Sequence, residues 1–302
     1  MECISANSFE GIVEHISTNH DLILLRQFRA SNYLYEFGER ETRRRICLLK
    51  KVSEDSQEVR TYRVHLPIIN AEFKFERLHL PRLLNCFHLS PDVYLLLPYY
   101  EGKHFDFNTD DIHLAKDMVD IVEELMAIDV ERVLEGGSNF NSQGYENDFW
   151  NAFQNARKIG LIGEHEEVSV REQAALIFAE ARSSQRMIIS NGDFNPRNII
   201  RTDEVLVVID WNGIVFPLEH HLTYPWLLNW QNDAWRNTYA TEFEGRLPVV
   251  RENLRMNLMY ISLKRAIAEK RHRNNSGERM SANHMKDFRS SIDKDFSSLT
   301  EL

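Results

Sequence analysis

The residues best suited to chemistry lie between Ile189 and Trp211. Asp193 precedes Asn198 by five residues, on a segment that also carries Gly192 and Pro196. The apolar run Val205-Leu-Val-Val-Ile209 then ends on Asp210 and Trp211. Phosphoryl transfer needs such a set. One carboxylate orients or deprotonates an acceptor hydroxyl, while an amide oxygen and a second carboxylate hold Mg²⁺ against the phosphates of ATP. Asp-x-x-x-x-Asn alone recurs by chance in many chains. The flanking apolar strands, the Pro-bearing loop and the Ile209-Asp210-Trp211 ending make the combination far more specific, and it points to a kinase acting on a small molecule.

The elements that position these groups change character along the chain. Up to about residue 100 the pattern is that of a small, mostly antiparallel sheet. Leu22–Leu25, Tyr33–Phe37, Ile46–Val52, Arg82–Phe87 and Val93–Leu97 are the strand candidates. A polar turn at Arg29–Asn32 separates the first two. Residues 54–66 are expected to be helical, and Pro67 to open a further helix running from Ile68 to Leu78. Pro98-Tyr-Tyr-Glu-Gly102 breaks the pattern and is the expected linker, so the division falls into 1–98 and 99–302. Beyond it, Ile112, Ala115, Met118, Val119, Val122, Leu125 and Met126 mark one apolar helix face, with Thr109 as its N-cap. Phe149, Trp150, Phe153 and Ala156 mark a second helix, and Ser169-Val-Arg-Glu172 a capping box that opens a third. Helical patterning resumes near Tyr224, broken around 274–277. The expected fold class is α+β, a small β-rich N-terminal part followed by a larger helical one.

Composition narrows the function classes. The 302 residues are 43% hydrophobic and 27% charged, with a net charge of −10. That balance argues against a nucleic-acid binder, which normally carries a basic stripe. No apolar run approaches the roughly 20 residues needed to span a bilayer, and the first residues lack a secretory signal pattern. Cys3, Cys47 and Cys86 stand far apart without metal-ligand spacing and read as free thiols, which places the expected location in the cytoplasm. The charge is uneven: residues 1–102 hold 13 Lys/Arg against 14 Asp/Glu, the remainder 23 against 32. An acidic larger half mildly favours a cationic acceptor.

Over residues 187–212 the sequence resembles the aminoglycoside phosphotransferase and choline kinase family, relatives of the protein kinases. That family shows His-Gly-Asp-x-x-x-x-Asn and then an apolar strand ending in Asp-Trp. The resemblance implies a two-lobed protein-kinase-like fold with ATP and Mg²⁺ in an interlobe cleft and the acceptor on the larger lobe. It gives Asp193 the role of catalytic base, and Asn198 and Asp210 the role of Mg²⁺ ligands. It implies that Lys50 contacts the α- and β-phosphates, with Lys51 as the alternative should the strand register shift by one. Alternation places Lys50 on the face of Leu48 and Ile46. Glu72 would pair with that Lys, Glu76 being the alternative one turn on. The backbone of Pro98 to Tyr100 would meet the adenine edge.

Two departures bear on activity. Asn191 stands where the family has His, at a position that braces the catalytic loop, and an amide can still donate and accept. The turn at Arg29–Asn32 has no glycine, though Arg29, Ser31 and Asn32 could supply donors to phosphate oxygens. The expected function is thus an ATP- and Mg²⁺-dependent phosphotransferase acting on a hydroxyl of an aminoglycoside, choline-like or sugar acceptor. Its rival is a nucleotide-binding regulatory pseudokinase that has lost transfer; transfer of AMP or phosphorylation of protein would be a third use of the fold. Trp211, Trp226, Trp230 and Trp235 could line an acceptor pocket, although helix core is the commoner role. Acceptor identity, ATP against GTP, and oligomeric state are not encoded in any local pattern.

Overall fold

The computed structural model describes residues 3–28, 33–106, 108–134, 142–181, 186–212, 214–271, 275–293 and 296–301. The turn at Arg29–Asn32, with its candidate donors, lies outside the described residues. The chain packs as two compact units. The first holds residues 1–104, 190–193 and 198–214, and the second holds 105–189, 194–197 and 215–302. The first unit therefore includes Asp193, Asn198 and Asp210, while Phe194–Arg197 of the same loop belongs to the second.

In the first unit, helix α1 (Phe9–His20) starts where the Ser8 hydroxyl accepts the Gly11 N–H at 3.1 Å. Its apolar stripe, Ile12 and Ile16, is fully buried against a six-stranded sheet. That sheet comprises β1 (Ile4–Ser5), β2 (Leu22–Gln27), β3 (Leu34–Glu39), β4 (Arg45–Ser53), β6 (Asn85–Leu89) and β7 (Asp92–Pro98). Its order is β1-β6-β7-β4-β3-β2. Between β4 and β6 the short strand β5 (Leu78–His79) belongs to a second sheet, with β8 (Lys103–His104), β10 (Ile199–Arg201) and β11 (Leu206–Val208), in the order β5-β11-β10-β8.

Alternation along β4 sends Cys47 and Leu49 into the core under α1, where each fully buried aliphatic side chain contributes about 1.5–3 kcal/mol. Leu48 and Lys50 take the opposite face. The pattern then breaks. Phe37 faces Cys47, but the next residue, Gly38, faces Arg45, so β4 carries a bulge. Ile46, expected beside Leu48 and Lys50, packs on the α1 core instead, and Arg45 joins the Lys50 face. Gly38 is required there: a Cβ would stand 2.4 Å from the Arg44 carbonyl oxygen.

One helical run covers α2 (Gln57–Arg60), a π-helical segment Thr61–His65 and α3 (Leu66–Glu72). Pro67 sits inside this run instead of opening a separate helix, and the helix ends at Glu72, six residues short of the expected Leu78, as the chain turns extended at Phe73. The wider π turn precedes the proline, whose missing N–H and ring conflict with regular α-helical bonding. Cys3 and Cys86 form a disulfide, their Cα atoms 4.5 Å apart, because β1 pairs in parallel with β6 and sets Ile4 opposite Phe87. The expectation of three free thiols holds for Cys47 alone, which is buried.

The second unit is helical. Its helices are α4 (Ile112–Leu125), α5 (Val130–Leu134), α6 (Ser142–Lys158), α7 (Glu164–Ala181), α8 (Leu218–Leu228), α9 (Asp233–Arg246), α10 (Arg251–Lys270) and α11 (Asn275–Ile292). β9 (Met187–Ser190) pairs with β12 (Ile214–Pro217). Helix α10 is the hub, packed on α6, α7, α8 and α11. Asp111, not Thr109, caps α4, accepting the Leu114 N–H at 3.0 Å. Helix α7 begins at Glu164, which leaves Ser169 inside it, and α8 begins six residues before Tyr224. Trp226 and Trp235 are fully buried in this unit, as Trp211 is in the first, so these three are core. Among the described residues no helix is long and apolar enough to cross a membrane. The architecture is α+β, with a β-rich N-terminal part and a helical C-terminal part.

Candidate functional site

The segment after β9 is held by its own polar groups. Gly192 adopts φ 79°, a left-handed conformation that glycine takes without steric cost. Asn191 is fully buried, and its amide donates to the carbonyls of Asp193 (3.2 Å) and Ile209 (3.0 Å). One side chain thus ties the loop to the end of β11, with two N–H groups on a single nitrogen where the family's histidine would offer one per nitrogen. The Asn198 amide donates to the Asp193 carbonyl at 2.8 Å and to its carboxylate at 3.2 Å. The Ile209 N–H returns a bond to the Asn198 carbonyl at 2.9 Å. Asp193, Asn198 and the residue preceding Asp210 are therefore linked by direct hydrogen bonds. Asp210 itself has φ 59°, a left-handed geometry uncommon outside glycine but tolerated by Asp.

Lys50 meets this cluster from β4. Its ammonium lies 2.9 Å from an Asp210 carboxylate oxygen and 2.6 Å from Glu58. Burial alone would lower its pKa, but Asp210 and Glu58 outweigh that and hold the ammonium above its ordinary range. Burial pushes the Glu58 carboxyl up, against the pull of Lys50. Lys51 pairs with Asp92 at 2.7 Å instead. Glu72 and Glu76, the expected partners of Lys50, are both exposed. The partner is Glu58, in the first turn of α2, whose N–H is capped by Ser56. Fourteen residues separate Glu58 from Glu72, about 21 Å of helix, so the two cannot exchange places.

A cavity of about 710 Å³ opens beside these groups, and all of its lining residues belong to the first unit. Lys50, Glu58 and Asp210 form one polar group and Glu36, Arg45 and Tyr99 another; Leu48, opposite Glu36 on the sheet, and Leu97 also line the cavity. Lys50 and Arg45 are five residues apart on β4, about 16 Å in an extended strand. Pro98 and Tyr100 also line the cavity. Pro98 has no N–H, and the Tyr99 N–H is engaged by the Ile46 carbonyl at 2.9 Å. The backbone of this segment therefore offers fewer donors than the sequence led one to expect.

The oxygen donors suit Mg²⁺. The Asp210 side chain is 51% exposed and lines the cavity, and Asn198, bonded to the neighbouring Ile209, carries a neutral amide oxygen. Among the described residues no group of three His, Cys, Asp or Glu side chains is placed to hold a metal ion. Sequence reasoning passed over Glu58, Glu36 and Arg45. The first had a signal, an acidic residue two positions after a serine N-cap.

No protein-family model matches this chain, and comparison with curated protein sequences finds no match. Comparison with solved structures does find likenesses. The GDP complex of aminoglycoside 2'-phosphotransferase-IIIa superposes with a TM-score of 0.57 at 12% identity, over 96% of this chain and 100% of that one. A thermostable mutant of aminoglycoside phosphotransferase APH(4)-Ia with ADP and hygromycin B gives 0.63 at 12% identity, over 94% and 97%. Spectinomycin phosphotransferase with ADP and spectinomycin gives 0.57 at 11%, over 97% and 96%. The chain thus has the fold of the aminoglycoside phosphotransferases, a protein-kinase-like architecture, over nearly its whole length.

Proposed function

We propose that this protein is a phosphotransferase that moves the γ-phosphoryl group of a nucleoside triphosphate to a hydroxyl of a small molecule. The observation that carries this reading is the hydrogen-bonded set Asp193–Asn198–Ile209, continued by Asp210 to Lys50 and Glu58 at the cavity. The acceptor oxygen forms a bond to the γ-phosphorus while the bond to the β–γ bridging oxygen breaks. Its proton passes to the Asp193 carboxylate, and the nucleoside diphosphate leaves with the bridging oxygen. A loose transition state asks little of the base, so the chief task of Asp193 is to orient the hydroxyl. Its carboxylate is steadied by the Asn198 amide, and its backbone by Asn191. Lys50, kept cationic by its two carboxylates, is placed to neutralise phosphate oxygens.

Asp210 and Asn198 would hold Mg²⁺, which would supply positive charge to offset the charge developing on the phosphates. The nucleotides and aminoglycosides bound by the structural neighbours support a nucleotide donor and a polyhydroxylated, cationic acceptor. The decisive experiment incubates the protein with γ-labelled ATP and GTP, Mg²⁺ and a panel of aminoglycosides, choline-like alcohols and sugars, with mass spectrometry of the products. A product heavier by one phosphoryl group is expected. Nucleotide-induced stabilisation without consumption would favour the regulatory module, and an adenylylated product would overturn phosphoryl transfer.

A further inference from the structure

We propose that Glu36, Arg45 and Tyr99 form a nucleobase subsite that reads guanine, making GTP and not ATP the favoured donor; this rests on the phosphotransferase reading above. Glu36 lies mid-strand on β3, directly opposite Leu48, and is 4% exposed while lining the cavity. A buried carboxylate is costly unless donors reach it. Its charged partner, the Arg45 Nε, stands 3.6 Å away, beyond ordinary hydrogen-bond distance. Both oxygens of Glu36 thus retain acceptor capacity at the cavity wall.

Arg45 is brought to this face by the β4 bulge and fixed by its bond to the Tyr99 hydroxyl at 2.6 Å. With Nη1 on Tyr99 and Nε facing Glu36, Nη2 is the group left to donate into the cavity.

Guanine matches that pair of groups. Its adjacent N1–H and N2–H donate in parallel to the two oxygens of a carboxylate, and its O6 and N7 accept from a guanidinium. Adenine would set the N1 lone pair against the carboxylate and offer it a single N6–H. A polar subsite left unpaired rejects the wrong ligand strongly. Of the neighbouring backbone, Pro98 has no N–H and that of Tyr99 is engaged.

The test is calorimetric titration of the full chain with GDP, IDP and ADP in the presence of Mg²⁺, for the wild type and for Glu36→Gln. GDP is expected to bind at least about tenfold tighter than ADP. IDP, which lacks the 2-amino group, falls between them, and Glu36→Gln narrows the GDP:ADP ratio. ADP binding as tightly as GDP would overturn the proposal while leaving the phosphotransferase reading intact. So would an unchanged ratio in the variant, which would make Glu36 and Arg45 a strut of the sheet. No binding of any of the three would overturn the nucleotide cavity itself, and both readings with it.

Discussion

Lowering the pH from 7.5 to 5.0 should destabilise the helical unit through His284. This residue lies on α11 and is fully buried, and neither ring nitrogen has a hydrogen-bond partner among the described residues. Burial, helped by the nearby Arg265 and Arg236, lowers its pKa from 6.5 to about 3. The unfolded chain therefore takes up the proton first as the pH falls. The stabilisation is complete above about 6.5 and is lost below it, down to the folded value. At pH 5.0, 1.5 units below the unfolded value, the loss from this one group is about 2 kcal/mol. His221 is buried and shifted in the same direction, so the whole unit loses more than that. The buried carboxyls of Glu219 and Asp287 have raised pKa values and act in the opposite sense. Comparing the wild type with His284→Leu cancels both contributions. Urea unfolding can be followed by tryptophan fluorescence, since Trp226 and Trp235 are buried in the same unit. The wild type should lose about 2 kcal/mol more than the variant between the two pH values. Equal losses would refute a neutral, buried His284.

Glu58→Gln removes one of the two carboxylates on the Lys50 ammonium and should cost about 1.5–3 kcal/mol of stability. Exposed Glu72→Gln should stay within about 0.5 kcal/mol; thermal unfolding of the two variants distinguishes them, and the reverse order would restore Glu72 as the partner. The Cys3–Cys86 disulfide closes a separation of 83 residues, worth about 4–5 kcal/mol on the chain-entropy model. Reduction should lower the unfolding midpoint of the wild type to that of Cys3→Ser. Alkylation of both thiols in unreduced protein would contradict the bond.

The candidate chemistry was legible where it is local. Asp193 and Asn198 lie five residues apart on one loop, and an apolar strand ending in Asp210 and Trp211 follows, so the combination of spacing, loop and strand brings out the set. Lys50 is implied by the family resemblance, and alternation along β4 correctly puts it on the face of Leu48, though not with Ile46. Glu58 is not legible because Pro67 reads as a helix start, which points to an acidic partner on the residues after it. Arg45 was missed because a bulge breaks period two, and bulges depend on the neighbouring strand. Helix α1 was overlooked although Phe9, Ile12, Val13 and Ile16 follow Ser8 at helical spacing. The pairing of Cys3 with Cys86 depends on parallel contact between distant strands, which no local pattern encodes.

The most direct test of the central claim is phosphoryl transfer by Asp193→Ala, measured alongside nucleotide affinity. The account predicts that kcat falls by at least about 10²-fold, the usual loss for a positioned catalytic group, while nucleotide binding persists. Undiminished transfer by the variant would contradict it.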